Sequence, residues 1–230
     1  MNNNDLNLYS RQISTYGMDI MLKIKNMKVI VFGMRGLGIE ISKNIILSGI
    51  FELCIFDDTI CSISDLSSNF YISEEDVNKK RRDEACLEKL RELNREINID
   101  KFESLETMKN NIKNYDILVI SEILDIQTLI EYNYICRANN KKFIYSSALG
   151  LSGFVFNDFG DEHLIINKTG DEPQSVTIKN ISKEKEGIIT INADKDSISL
   201  YEFSDYVIFK NIKGMTELND KEPKKNKGHK

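Results

Sequence analysis

Gly33-Met34-Arg35-Gly36-Leu37-Gly38 follows the apolar run Val29–Phe32 and opens a stretch with helical periodicity. A strand, a glycine-rich turn and a helix in this order are typical of the phosphate-binding loop of nucleotide-binding α/β folds. Glycine normally occupies the second motif position, because backbone N–H groups must approach the phosphate closely there. Arg35 stands at that position in this chain. The loop therefore predicts a nucleotide-binding fold together with a degenerate phosphate site, formed by Gly33, Arg35, Gly36 and Gly38.

Short apolar runs alternate with helical patterns from about residue 28 to residue 147, which indicates a parallel sheet with crossover helices. The predicted strands are Val29–Phe32, Leu53–Phe56, a weak one near Phe102, Ile117–Ile120 and Phe143–Tyr145. The predicted helices are Gly36–Leu47, Asp83–Ile97 and Ile126–Ala138. Their expected core-facing residues are Leu37, Ile41 and Ile45 in the first helix and Cys86, Leu90, Leu93 and Ile97 in the second. A helical segment over Leu8–Lys25, with Ile13, Tyr16, Ile20 and Ile24 at helical spacing, is expected to pack on the sheet.

The pattern changes after about residue 152 to short β-like runs at roughly ten-residue spacing, which favours a small barrel or sandwich. These runs are Phe154–Phe156, Leu164–Ile166, Val176–Ile178, Ile188–Ile191, Tyr206–Phe209 and Met215–Leu218. We therefore expect an α/β domain over residues 1–155 and a small, mostly β, barrel-like module over residues 156–222. The lysine-rich residues 223–230 predict a disordered tail or a truncation point.

Composition excludes several classes of protein. The net charge of −5 argues against nucleic-acid binding, which needs a basic face. No apolar run approaches the roughly 18–20 residues of a membrane span, and no secretory signal is visible. Four cysteines without a C-x-x-C pair support neither disulfides nor a metal site. We expect a cytoplasmic and nuclear protein.

A nicotinamide-dependent oxidoreductase is one alternative that the loop leaves open. Such enzymes place an acidic residue at the end of the second strand, about 20 residues after the loop, to bind ribose. Asp57 and Asp58 satisfy that position. Arg35 counts against this alternative, since its side chain obstructs the approach of a phosphate.

Several longer stretches resemble the ubiquitin-activating enzyme family and its bacterial sulfur-carrier-activating relatives. They are Leu8–Ile13, the loop with Glu40–Asn44, Ser64–Tyr71 and Glu74–Val77. Within that family they look like the first, inactive adenylation repeat, which has a Rossmann-like, ThiF-type sheet. Residues 157–162, 170–173 and 212–219 are similar to the family's first catalytic-cysteine half-domain. Together the similar stretches cover about residues 8–223.

The resemblance implies that ATP and magnesium bind to another repeat of the complete enzyme. The active repeat has an Asn-Leu-Asn-Arg-Gln-Phe segment that grips phosphates, and Ser67 and Ser68 replace its second asparagine and its arginine here. The active repeat's magnesium aspartate has no good counterpart in Ser121–Asp125, where Asp125 is a poor substitute. Its lysine corresponds to Lys79, within a basic run that is typical of a solvated face. We therefore expect no cofactor on this chain alone and no activity from it.

The resemblance also implies a role for Arg11, which would reach the ATP phosphate of the partner repeat; the alternative is a surface salt bridge. Implied partners are the active repeat, ubiquitin or a ubiquitin-like protein, and ubiquitin-conjugating enzymes. Acidic residues of the β-rich module could contact ubiquitin, or could face water in turns: Asp158, Asp161, Glu162, Asp171 and Glu172. The regulatory subunit of a heterodimeric SUMO- or NEDD8-activating enzyme is a further alternative, although such a subunit would lack the strand-rich module.

Overall fold

The structure is a computed structural model, and it describes residues 3–163, 165, 175–184, 187–192, 206–219 and 224–225. The chain divides into two compact units, Met1–Ile166 and Asn167–Lys230. Each unit is described by itself.

The first unit contains a six-stranded sheet. Its strands are β1 (Lys28–Phe32), β2 (Glu52–Phe56), β3 (Asn98–Lys101), β4 (Ile117–Ile120), β5 (Lys142–Leu149) and β6 (Ser152–Asp158). Their order is β3-β2-β1-β4-β5-β6; the first five are parallel, and β6 runs antiparallel to β5. The expected α/β class with a mostly parallel sheet is confirmed. The order reverses between β1 and β4, so a crevice opens at their carboxyl ends, where ligands of such sheets bind.

The described residues of the same unit form seven α-helices. They are α1 (Asn3–Leu8), α2 (Ser10–Tyr16), α3 (Met18–Ile24), α4 (Gly36–Ser48), α5 (Arg82–Leu93), α6 (Leu105–Asn111) and α7 (Ile126–Ala138). Short 3-10 turns occupy Ile63–Ser67, Glu74–Asp76 and Ile112–Asn114. The predicted bounds of α7 are confirmed, because Asp125 caps its first turn by accepting a 3.0 Å hydrogen bond from the backbone N–H of Thr128. Helix α4 ends at Gly49, whose φ of +86° favours glycine.

Two apolar clusters, one on each face of the sheet, form the core. The first joins β1 and β2 to α4 and α5 through residues that include Val31, Ile39, Ile46, Leu53 and Leu90. The second joins the other face to α6 and α7 through Phe32, Phe56, Met108, Tyr132 and Phe143, among others. Full burial of one such side chain is worth about 1.5–3 kcal/mol, so these clusters provide the main stabilisation of the sheet unit.

The core-facing side of α4 differs from the prediction. Ile39, Ser42 and Ile46 are fully buried, whereas Leu37, Ile41 and Ile45 are only partly buried. The expected stripe is therefore rotated around the helix. In α5 the expectation is confirmed for Cys86 and Leu90, which are fully buried. The helix ends at Leu93, four residues before the predicted end; Leu93 is only partly buried, and Ile97 is buried beyond the helix.

The leading segment also differs from a single amphipathic helix. Gly17, with a φ of +83°, separates α2 from α3. Tyr16 and Ile20 are exposed, contrary to the prediction, and the buried residues are Tyr9 and Met21. The hydroxyl of Tyr9 accepts a 2.8 Å hydrogen bond from the side-chain amide of Asn94, which fastens this segment to the sheet unit.

The described part of the second unit is β-rich. It contains β7 (Ile178–Ile181) paired with β8 (Ile189–Ile191), and β9 (Tyr206–Val207) paired with β10 (Lys224–Lys225). Three expectations differ. The run Phe154–Phe156 belongs to β6 of the large sheet, so the predicted boundary at residue 155 falls inside that strand. Thr216–Leu218 is a 3-10 turn, and Lys224 and Lys225 of the expected tail lie in a strand. Leu164 and Ile166 lie outside the described residues.

Within the described ranges, no helix has both the length and the apolar composition that crossing a bilayer requires.

Candidate functional site

The glycine-rich loop lies at the carboxyl end of β1 and is closely packed. A Cβ atom on Gly38 would lie 1.8 Å from the carbonyl oxygen of Gly33, and one on Gly33 would lie 2.8 Å from the backbone nitrogen of Glu122. Gly33 also has a φ of +100°. The hydroxyl of Ser121 donates a 2.9 Å hydrogen bond to the carbonyl of Gly33, joining the ends of β1 and β4. These glycines are therefore required to build the fold.

Arg35 sits at the N-cap of α4 with an extended backbone. Its Nε atom lies 3.4 Å from Oε1 of Glu122, which follows β4. The Arg35 side chain is about half exposed, and that of Glu122 is largely buried. This ion pair connects the two strand ends at the point where the crevice opens.

Asp57, at the end of β2, is buried and turned toward the chain's own loop. Its Oδ2 atom accepts a 2.8 Å hydrogen bond from the backbone N–H of Met34, and its Oδ1 atom accepts one of 3.0 Å from that of Thr59. The carboxylate that would bind ribose in an oxidoreductase thus accepts a hydrogen bond from the glycine-rich loop instead. Asp58 beside it is exposed.

Arg82 is the centre of a buried cluster of charges. Its Nη1 atom lies 3.4 Å from Oδ2 of Asp57 and 3.9 Å from Oε2 of Glu122, and its Nε atom lies 3.0 Å from Oδ2 of Asp65. Burial by itself lowers the pKa of Arg82, but the contact of its guanidinium with the carboxylate of Asp65 and the charge of Asp57 raise it above its usual value. The guanidinium is therefore held in its charged form. We refer to Arg82, Asp57, Asp65, Glu122 and Arg35 as the Arg82 cluster.

The sequence did not reveal this role of Arg82. A solvated face is the prediction for Lys79 within the run Lys79-Lys80-Arg81-Arg82, and Lys79 is indeed exposed, but the two arginines of the run are largely buried. Arg81 donates a 2.6 Å hydrogen bond to Asp83, whose side chain is fully buried. Burial of the acidic partners is a tertiary property, and no local spacing signals it.

Ser67 and Ser68, the replacements in the phosphate-gripping segment, are both exposed. The hydroxyl of Ser67 donates a 2.7 Å hydrogen bond to the carbonyl of Ser64. Ser68 lies against Gly36. A Cβ atom added to Gly36 would be 2.8 Å from the Cβ atom of Ser68. Asn69, which sequence reasoning did not single out, is buried and donates a 2.8 Å hydrogen bond to the carbonyl of Met34. This segment therefore braces the loop without supplying a cation.

Asp125 is engaged as the cap of α7 rather than poised for a metal. Its side chain accepts hydrogen bonds from the backbone and the hydroxyl of Thr128, which lower the pKa of the carboxyl. Among the described residues, no group of three or more histidine, cysteine, aspartate or glutamate side chains is arranged to hold a metal ion.

The remaining candidate residues lie apart from the loop. Arg11, on α2, is exposed, and its guanidinium forms no ion pair with any side chain in the described ranges. Asp158 is buried rather than facing water, and it accepts a 2.6 Å hydrogen bond from Arg137. Asp161 is highly exposed and pairs with the same arginine. Asp171 and Glu172 lie outside the described residues.

The four cysteines are all buried free thiols. Burial raises the pKa of Cys54, Cys86 and Cys136 to about 12, and it also raises that of Cys61. Because the thiolate is the reactive form, these side chains behave as small apolar groups.

A family model described as ThiF family matches residues 9–181. The chain belongs to the ThiF family. Among the solved structures, the crystal structure of Escherichia coli MccB with succinimide is similar, with a TM-score of 0.53 and 26% identity over 64% of this chain and 45% of that one.

Curated ThiF-type relatives of the chain are ubiquitin-activating enzymes. The chain is 37% identical to the ubiquitin-like modifier-activating enzyme 1 of Dictyostelium discoideum over 219 residues, which are 95% of this chain and 21% of that protein. It is 36% identical to the ubiquitin-activating enzyme E1 1 of Arabidopsis thaliana over 96% of this chain and 20% of that protein. The chain thus spans about a fifth of these relatives and is homologous to their N-terminal part. The resemblance inferred from sequence is confirmed.

Proposed function

We propose that this chain acts as the catalytically inactive adenylation repeat, with most of the first catalytic-cysteine half-domain, of a ubiquitin-activating enzyme. The observation that carries the proposal is the Arg82 cluster. Its ion pairs connect residues that follow β1, β2 and β4, at the edge of the sheet where a nucleotide would lie in an active repeat.

The charges of the Arg82 cluster are unsuited to ATP. Adenylation requires fixed cations and a metal-holding carboxylate around a triphosphate. Here the carboxylates of Asp57, Asp65 and Glu122 surround the two guanidinium groups of Arg82 and Arg35 and leave the cluster with excess negative charge. Such a cluster repels a polyphosphate, and its cations are already paired.

The complete enzyme would adenylate the C-terminus of ubiquitin with ATP and magnesium, both held by the second repeat, and then form a cysteine thioester. This chain would dock on that repeat, contribute Arg11 to the ATP phosphate, and flank ubiquitin with residues 156–222. Ubiquitin-conjugating enzymes would meet the complete enzyme in the cytoplasm and nucleus. The names of the relatives, ubiquitin-like modifier-activating enzyme 1 and ubiquitin-activating enzyme E1 1, support the ubiquitin-activation part of this proposal.

ATP–pyrophosphate exchange tests the proposal in two arms. The purified chain alone should exchange nothing above background with ubiquitin present, while the intact Dictyostelium relative provides the positive control. In the second arm, the chain is added to a truncated relative, defined as the Dictyostelium enzyme lacking the 21% that aligns with this chain. Exchange should appear only in the mixture. A rate from the chain alone that matches the intact relative would overturn the proposal.

A further inference from the structure

Helix α2, which carries Arg11, has few contacts with the rest of the sheet unit. None of its seven described residues, Ser10–Tyr16, is buried. Across residues 6–24 the two buried side chains are those of Tyr9, immediately before α2, and Met21, in α3. The orientation of the start of α2 therefore depends mainly on Tyr9.

The side chain of Tyr9 is held on its ring and on its hydroxyl. A Cβ atom on Gly49 would lie 2.6 Å from the Cε1 and Cζ atoms of the Tyr9 ring, so the ring packs directly on the end of α4. The hydroxyl accepts the 2.8 Å hydrogen bond from the side-chain amide of Asn94, which also donates one of 3.4 Å to the carbonyl of Ile46. The Nζ atom of Lys25 lies 4.8 Å from the centre of the ring. These contacts leave Tyr9 only 3% exposed.

The helical geometry of α2 relates the placement of Tyr9 to the direction of Arg11. The carbonyl of Tyr9 accepts a 2.8 Å hydrogen bond from the backbone N–H of Ile13, so Tyr9 belongs to the first turn. Because an α-helix has about 3.6 residues per turn, Arg11 leaves the helix about 200° around the axis from Tyr9. Gln12 lies nearer to the side of Tyr9, and its amide donates a 3.3 Å hydrogen bond to the carbonyl of Leu47. With Tyr9 turned inward, Arg11 is therefore turned outward.

A groove beside Tyr9 gives α2 room to move. It has a volume of about 380 Å³ and is lined by Leu8, Tyr9, Gln12 and Leu47 and by residues 92–96. Because side chains do not fill this space, close packing does not by itself hold α2 against α4. Removal of the Tyr9 side chain would enlarge the groove and release the start of α2.

We propose that Tyr9 is a positioning residue for Arg11: it fixes the direction in which α2 presents the guanidinium to the ATP phosphate of the partner repeat. The inference rests on the proposed function and adds to it a buried residue that acts through Arg11. Misplacing a reacting group by about 1 Å can cost about 10²-fold in rate. Gly49 and Asn94 take part by holding the ring and the hydroxyl of Tyr9.

Hydrogen exchange on the chain alone tests whether Tyr9 holds α2. In Tyr9→Ala, the amides of residues 13–17 should exchange at least about tenfold faster than in the wild type, because their helix is no longer fixed to the sheet unit. The amides of β1 should keep their protection, which would show that the sheet unit stays folded. Tyr115→Phe is the matched control. It removes a buried hydroxyl that donates a 2.7 Å hydrogen bond to Glu52, and it should leave the exchange of α2 unchanged.

ATP–pyrophosphate exchange in the mixture with the truncated relative tests the consequence for Arg11. Tyr9→Ala should lower the rate at saturating ATP by about 10²-fold, while light scattering shows an unchanged complex. Tyr9→Phe keeps the ring against Gly49 and loses one hydrogen bond, so its rate should stay within about tenfold of the wild type. In an Arg11→Ala background, Tyr9→Ala should cause less than about twofold further loss, because the two residues act as a unit. Tyr115→Phe should leave the rate unchanged.

Three results would overturn the positioning role while the wild-type mixture is active. They are unchanged exchange of the α2 amides in Tyr9→Ala, a wild-type rate from that variant, and an equal loss of rate in the wild-type and Arg11→Ala backgrounds. The last would show that Tyr9 acts on the fold and not through Arg11. If Tyr9→Ala also loses the protection of β1, Tyr9→Phe takes its place in the same comparison of backgrounds. An inactive wild-type mixture would instead refute the proposed function, and this inference with it.

Discussion

The carboxylate of Asp57 accepts a 2.8 Å hydrogen bond from the backbone N–H of Met34. Through this contact, an acidic residue at the end of β2 stabilises the glycine-rich loop that follows β1. Arg82, 3.4 Å from the same carboxylate oxygen, compensates the buried charge. The backbone N–H and C=O groups of Gly33 and Met34, at the start of the loop, are thus all hydrogen-bonded within the chain.

Asp57→Asn should destabilise the chain by about 3 kcal/mol, because it leaves Arg82 buried with one fewer compensating charge. Urea unfolding followed by circular dichroism measures the change. Asp58→Asn, at the exposed neighbouring position, is the control and should stay within about 0.5 kcal/mol of the wild type. Equal effects of the two substitutions would show that the buried pair contributes little.

Gly38→Ala should prevent folding or cost more than about 4 kcal/mol, because the new methyl group would lie 1.8 Å from the carbonyl oxygen of Gly33. The yield of soluble protein and the thermal unfolding midpoint measure the effect. The matched control is Gly153→Ala, whose nearest neighbour would be 3.8 Å away, and which should change stability by less than about 1 kcal/mol. A Gly38→Ala protein with a wild-type midpoint would contradict the close packing of the loop.

Local chemistry explains which parts of the fold the sequence predicted. Helix α7 was placed with its correct bounds, because Asp125 caps its first turn and its apolar residues recur at helical spacing. The strand–loop–helix unit around Gly33 followed from the glycine pattern. In α4, by contrast, apolar residues occur on most sides of the helix, so periodicity alone did not select Ile39 and Ile46 as the buried pair.

The sequence predicts which phosphate-binding residues the candidate site lacks, but not which side chains pair with one another there. Arg35, Ser67 and Ser68 are visible in the sequence as departures from a phosphate site. The partners of Arg82 are not, because Asp57 and Glu122 are 25 and 40 positions away from it in the chain and meet it only through the β2–β1–β4 arrangement of the sheet. A buried charge network depends on tertiary contacts that no single-sequence pattern encodes.

Acid should destabilise the first unit partly through Asp158. The hydrogen bond from Arg137 lowers the pKa of this carboxyl to about 2, below its ordinary value of about 3.9. A carboxyl whose pKa is lower in the folded state contributes stability above the unfolded pKa and loses it as the pH falls through the folded one. Asp158→Asn should therefore show a smaller loss of unfolding free energy between about pH 4 and pH 2 than the wild type does.

Asp161→Asn is the control for that measurement. Asp161 pairs with the same arginine, but its side chain is 94% exposed, so the variant should retain the acid sensitivity of the wild type. Denaturant unfolding at pH values from 2 to 5 compares the three proteins. An unchanged pH profile in Asp158→Asn would show that the Arg137 contact does not stabilise the fold.

Arg35→Gly should not create an ATP site, although it restores the glycine of the motif. Asp57 remains bound to the loop, Arg82 remains paired, and Ser67 and Ser68 supply no cation. Stability should change by less than about 1 kcal/mol, because the ion pair with Glu122 is half exposed. Calorimetric titration with ATP and magnesium is the measurement, with the intact Dictyostelium relative as positive control. Micromolar binding by Arg35→Gly would show that this one side chain had blocked the site.

Arg11 is the residue through which the chain would act on the chemistry of its partner. It is exposed on α2 and has no ion-pair partner among the described side chains, so its guanidinium is available to an external phosphate. An arginine supplied from outside a site is worth about 10³–10⁵ in the rate of phosphoryl transfer. In the mixture with the truncated relative, Arg11→Ala should therefore lower the rate of ATP–pyrophosphate exchange by about 10³-fold or more.

The design of the Arg11 experiment separates catalysis from assembly. Arg11→Lys should recover little of the lost rate, because an ammonium group lacks the planar fork that pairs with phosphate oxygens. Lys23→Ala, which removes an exposed cation from the neighbouring α3, is the control and should leave exchange unchanged. Light scattering on each mixture should show the same complex for all three variants. Since a surface salt bridge would affect assembly or stability but not turnover, full activity of the assembled Arg11→Ala mixture would eliminate the catalytic role.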